Sequence, residues 1–128
     1  MANAFPSQLV KRQSSFGSCP AFLDIPKITN VTLIPDPPKA NSPLEVKGSA
    51  NTNDDIVDGM FFVFKIFNGN EKIYSNAIGI CDVVTDCPTK VFDFDERYDL
   101  KDLPSSYSIT VAIGANSSIL ACGFAQVN

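Results

Sequence analysis

Polar and apolar residues alternate along most of the chain from Ile28 to Val127, in short runs separated by turn-forming residues. ITNVTLI (28–34) alternates, the proline-rich PDPPKANSP (35–43) breaks the pattern, and LEVKGSA (44–50) resumes it. NTNDDIVDG (51–59) reads as a polar connection. MFFVFKIF (60–67) is the most apolar stretch, and Asn68-Gly69-Asn70 behind it is a hairpin signal leading into EKIYSNAIGI (71–80). KVFDFD (90–95) puts Phe92 and Phe94 on one face and Asp93 and Asp95 on the other. SYSITVAIG (106–114) aligns Tyr107, Ile109, Val111 and Ile113, Asn116-Ser117-Ser118 makes a turn, and ILACGFAQV (119–127) closes the chain. Seven or so strands at this spacing, with no sustained helical period, predict an all-β fold: an immunoglobulin-like two-sheet antiparallel sandwich. The one helical candidate is a turn or two around 95–103.

MFFVFKIF admits two registers. Either Met60, Phe62, Phe64 and Ile66 face inward, or Phe61, Val63 and Phe67 do. Lys65 selects the first, because an unpaired ammonium is expensive to bury. Ile73, Ile78, Ile80, Phe92, Phe94, Tyr107, Ile109, Val111 and Ile113 complete the expected interior. The pattern by itself says only that these residues pack.

Composition narrows the function. A chain of 128 residues builds one core, and 45 % hydrophobic content excludes general disorder. A net charge of −4 argues against nucleic acid as partner and against a polybasic membrane stripe. No run of 18 apolar residues is available to span a bilayer. Without histidine there is neither a hydrolytic triad nor a Cys/His zinc site, so no enzyme, no cofactor and no metal are expected. DFDERYD (93–99) gathers Asp93, Asp95, Glu96 and Asp99, but alternation puts Asp93 and Asp95 on an outward face, where solvation is the better reading than calcium.

The four cysteines, Cys19, Cys81, Cys87 and Cys122, are even in number and oddly spaced, which favours disulfides in an oxidising compartment over a redox Cys-x-x-Cys pair. Sequons at Asn30 and Asn116 agree with secretion and mark both as candidate glycosylation sites. Met1–Gln13 lacks the apolar region of a signal peptide, so a start after a removed signal is expected, and Lys11-Arg12 has the form of a dibasic processing site. Residues 1–17 are therefore expected as a flexible tail or pro-segment remnant and 18–128 as the domain.

One set of residues is more specific. Cys81-x5-Cys87-Pro88, an apolar strand, DLPSSYSITVAI (102–113), a turn, and ILACGFAQV with Cys122 near the end resemble the ML family of small secreted lipid-binding domains over about residues 17–127. KIYSNAIGIC (72–81) is closest in style to the family's fungal phosphatidylglycerol/phosphatidylinositol transfer proteins. The segment 35–43 lacks the extra cysteine pair of the family's Niemann–Pick type C sterol carriers. The resemblance implies disulfides Cys19–Cys122 and Cys81–Cys87, and a hydrophobic cavity between the sheets. That cavity would hold one sterol, fatty acid or phospholipid against the inward residues named above. It also implies a monomer that carries lipid, touches membranes transiently and hands its cargo to a membrane receptor, outside the cell or in the vacuolar/lysosomal lumen. A mouth beside the Cys81–Cys87 loop, with Lys65, Lys72 and Lys90 as headgroup contacts, completes that picture. The alternative is an immunoglobulin-like recognition module with a filled core that acts through its surface on a protein partner.

Overall fold

The computed structural model describes residues 14–115 and 118–128. Asn116 and Lys11-Arg12 lie outside the described residues. Among the described residues, seven strands run β1 (Asn30–Ile34), β2 (Pro43–Ile56), β3 (Phe61–Asn68), β4 (Glu71–Gly79), β5 (Thr89–Asp99), β6 (Tyr107–Ala115) and β7 (Ser118–Val127). A single turn of helix, α1 (Ile80–Val83), follows β4. The strands form two antiparallel sheets, a three-stranded one ordered β1-β2-β5 and a four-stranded one ordered β4-β3-β6-β7.

Burial follows the pleat. Along β3, Phe62, Phe64 and Ile66 are buried whereas Phe61 is 42 % exposed, which is the register that Lys65 selects. Met60, just before the strand, is partly buried against the same core. Ile109, Val111 and Ile113 of β6 pair directly with Ile66, Phe64 and Phe62 and extend that face. Opposite them, Leu44 and Val46 of β2 and Phe92, Phe94 and Tyr98 of β5 form the inner face of the smaller sheet. Each large side chain withdrawn from water in this way contributes roughly 1.5–3 kcal/mol. Gly48 lets β1 lie close over β2, since a side chain there would collide with the Asn30 carbonyl and the Phe94 ring. Gly69 takes the turn between β3 and β4 at φ +64°, where glycine pays no steric penalty.

Four expectations need correction. Ile73 does not face inward and is 36 % exposed. A bulge after the Ile66–Tyr74 pair moves the next pairing to Phe67–Lys72, so Ile73 is the extra residue and Tyr74 takes the inward position. The polar segment 51–59 is not all connection, because β2 continues through an irregularity to a fully buried Ile56. No helix forms at 95–103, since β5 extends to Asp99, and the helical turn sits at 80–83 instead. Residues 14–17 are tied to the sandwich: the Ser14 backbone N–H donates to Asp36 at 2.8 Å, Phe16 is buried, and Gly17 exchanges two backbone hydrogen bonds with Phe124.

The two long sides of the sandwich are held differently. On the β1/β7 side the chain leading into β1 pairs with β7, the Ile28 N–H donating to Cys122 O and the Cys122 N–H to Pro26 O. The Cys19–Cys122 disulfide fastens the same place. On the β4/β5 side two edge strands of different sheets face each other. Among the described residues no backbone hydrogen bond joins them, and their covalent link is the segment through α1 and the Cys81–Cys87 loop.

Candidate functional site

The β4/β5 side is where the sandwich presents an apolar seam. Its walls are aromatic because alternation on β3 and β5 aims phenylalanine rings at each other across the midplane. Phe62 stacks on Phe94 with centroids 4.5 Å apart and meets Phe92 at 5.5 Å. Phe64 stacks on Tyr98 at 4.4 Å, and Tyr74 of β4 stands edge-on to both at 5.8–5.9 Å. These contacts hold the sheets together by ring packing, non-directional apart from the stacking preference.

The interior is filled in this conformation. Phe64, Ile66, Ile80, Ile109, Val111 and Ile113 have no water-accessible surface, and Phe62, Phe92, Phe94 and Tyr107 have almost none. The cavity implied by the resemblance is thus occupied by the protein's own side chains. Of the expected lipid-contacting residues the structure brings Phe62, Phe64, Phe92 and Phe94 into one cluster, with Ile78 partly buried beside it. Ile109, Val111 and Ile113 line the centre, and Ile80 closes the α1 end. Tyr107 is buried near the start of β6, with its hydroxyl pKa raised to about 12 by burial and by the Asp36 carboxylate.

Three polar groups stand on the seam: Tyr74 and Tyr98, which were not singled out in the sequence, and Glu96, which was read only as part of a solvated acidic cluster. The signal for the last two was present, because the alternation Phe92, Phe94, Glu96, Tyr98 continues unbroken along β5 in register with β2. Burial, then the Glu96 carboxylate and Tyr74, push the Tyr98 hydroxyl well above the usual tyrosine range. Burial, then Asp99, raises Tyr74. Desolvation, then Asp95, raises the Glu96 carboxyl. These groups sit level with Leu44 and Ile66, towards the end of the seam remote from the Cys81–Cys87 loop. The polar end of the seam is therefore not beside that loop.

The lysines expected at the mouth are elsewhere. Lys65 and Lys72 line a groove of about 450 Å³ on the outer face of the four-stranded sheet, with Phe61, Val63, Ala112 and Ile119. Phe22, 43 % exposed, borders the adjoining part of that face. Lys90 pairs with Asp55 at 3.9 Å on the surface. Asp93, Asp95 and Asp99 share the exposed face of β5, away from Glu96. Both cysteine pairs are bonded as the resemblance implies. Asn30 is exposed on the edge strand β1, where its side-chain amide donates to Ser49 Oγ at 3.0 Å.

Comparison with known proteins agrees with this architecture. Chicken MD-1, whose crystal structure was determined in complex with lipid IVa, superposes with a TM-score of 0.51 at 14 % identity, covering 88 % of this chain and 87 % of MD-1. That likeness is one of fold. No curated protein matches the sequence. The family model described as the ML domain matches residues 13–120, and on that extent of agreement the chain belongs to the ML-domain family.

Proposed function

We propose that this protein binds a single lipid between its sheets, the apolar tail entering from the β4/β5 side and displacing the aromatic contacts that close it. The observation that carries the reading is the asymmetry of the sandwich: on one side a disulfide and backbone hydrogen bonds join the two sheets, and on the other, among the described residues, the edge strands share no backbone hydrogen bond and meet through stacked rings, with the Cys81–Cys87 loop connecting them at one end. Membership of the ML family and the lipid-bound state of MD-1 support it. The energetics suit a carrier. Burying an acyl chain of about sixteen carbons is worth on the order of 13 kcal/mol, at ~0.8 kcal/mol per methylene. A bilayer provides nearly as much, so exchange between membrane and protein is close to balanced. The protein acts outside the cell or in the lumen of the vacuolar/lysosomal pathway, where both disulfides persist. It works as a monomer with transient membrane contact, and without catalysis.

The outer groove favours a second reading. Exposed Phe61 and Phe22 beside Lys65 and Lys72 suit a surface that recognises a protein partner, as a co-receptor does. Native mass spectrometry after incubation with mixed-lipid vesicles separates the two. One bound lipid per chain is the expected result. Strictly lipid-free protein that also takes up no fluorescent fatty acid would contradict the carrier and leave the surface module.

A further inference from the structure

On the inner face of β5, two phenylalanines are followed by two polar residues, Glu96 and Tyr98. Tyr98 is 4 % exposed, and its ring lies flat on Phe64 across the seam. Its hydroxyl is the one buried side-chain polar atom among the described residues that meets no hydrogen-bonding partner. Folding gains nothing from that oxygen. A buried hydroxyl without a partner is destabilising, and phenylalanine would make the same ring contacts without it. The group is thus left free to bond to something inserted into the seam.

We propose that Tyr98 Oη is the hydrogen-bonding contact for the polar end of the bound lipid, and that this end is an uncharged hydroxyl or carbonyl rather than a phosphate. The assignment rests on the seam being the lipid site. A phenol donates to a hydroxyl or carbonyl oxygen and accepts from a hydroxyl, so it serves an uncharged head in both directions. The surrounding charge excludes the anion. Glu96 shares the Tyr98 face two residues away, and the carboxylates of Asp95 and Asp99 lie close enough to act on Glu96 and Tyr74. Arg97 and Lys47 lie on the outer face of this sheet with Asp95 and Asp99, Arg97 pairing with Glu45 at 3.6 Å and Lys47 standing across from Asp95, while Lys65 and Lys72 line the outer groove, so none of these cations shares the inner face with Glu96 and Tyr98. A phosphate beside Tyr98 would meet the Glu96 carboxylate on the same face, with none of these cations beside it.

The test compares Tyr98→Phe with the wild type, using diphenylhexatriene, a hydrocarbon without polar groups, as the reporter of the seam. Monooleoylglycerol and its phosphate ester, oleoyl lysophosphatidate, serve as competitors with the same tail. In the wild type, monooleoylglycerol displaces the reporter at lower concentration than the phosphate ester. In Tyr98→Phe the reporter binds as before, monooleoylglycerol binds roughly three- to tenfold more weakly, and the melting temperature is equal to or above that of the wild type. That combination, stability kept and affinity for a hydroxylated lipid lost, is not what a purely structural tyrosine produces. Unchanged displacement by monooleoylglycerol in Tyr98→Phe, or tighter binding of the phosphate ester by the wild type, overturns the proposal. Failure of the wild type to bind diphenylhexatriene overturns the lipid site itself.

Discussion

The β1/β7 side and the β4/β5 side close one hydrophobic interior by different physics. On the first, backbone hydrogen bonds from Gly17 and Ile28 to β7, and a disulfide spanning 103 residues of sequence, join the chain's beginning to its end. On the second, stacked rings at 4.4–4.5 Å meet between strands that share no backbone bonds among the described residues, and the disulfide there closes only a six-residue separation. Ring contacts are made and lost without breaking a ladder. On the proposed reading the first side is a hinge and the second a lip, a division that a symmetrically pinned sandwich with a disulfide through its middle would lack.

The difference should be largest between the two disulfides. Replacing Cys19 and Cys122 by serine removes a constraint worth about 4–5 kcal/mol through the unfolded chain, whereas the same change at Cys81 and Cys87 removes about 2 kcal/mol. Denaturant unfolding reads both, and equal losses would deny the β1/β7 side its special role. Next, Phe64→Ala removes a ring with no exposed surface and costs about 3–4 kcal/mol, while Phe61→Ala, one pleat position away on the outer face, changes stability by less than about 0.5 kcal/mol. Similar losses at the two positions would mean that the outer groove, not the seam, is the packed face.

The smallest effect concerns the charge at the lip. The Glu96 carboxyl is raised by desolvation and then by Asp95, so its ionised form is disfavoured in the folded state. A raised folded pKa gives stability that is complete below the unfolded carboxyl value and declines as pH rises through the folded one. Glu96→Gln should accordingly melt higher than the wild type at pH 7, with the gap closing in acid. A gap that persists or widens below the carboxylate range would show that Glu96 is not desolvated at the seam.

Much of this arrangement was legible before the fold was known. Strict alternation over β3, β5 and β6 placed the right faces inward, and one lysine at position 65 was enough to choose between the registers of β3. What escaped has local causes. A bulge is invisible to a period-two reading, so Ile73 stood where Tyr74 does. Glu96 and Arg97 masked the last turns of alternation on β5 and hid Tyr98 behind a helical guess. Asn51 to Asp55 are polar on both faces, which concealed the approach to Ile56. Nothing in the pattern of inward residues distinguishes a cavity from a core, because an inward apolar side chain has the same period whether it packs on its neighbours or lines a space.

A crystal structure of the protein loaded with monooleoylglycerol addresses the central claim most directly. The account predicts an acyl chain between β3 and β5, with the Phe64 and Tyr98 centroids moved well beyond their present 4.4 Å and the Cys19–Cys122 side unchanged. A lipid resting in the outer groove against Phe61, Lys65 and Lys72, with the stacked rings still in contact, would contradict it.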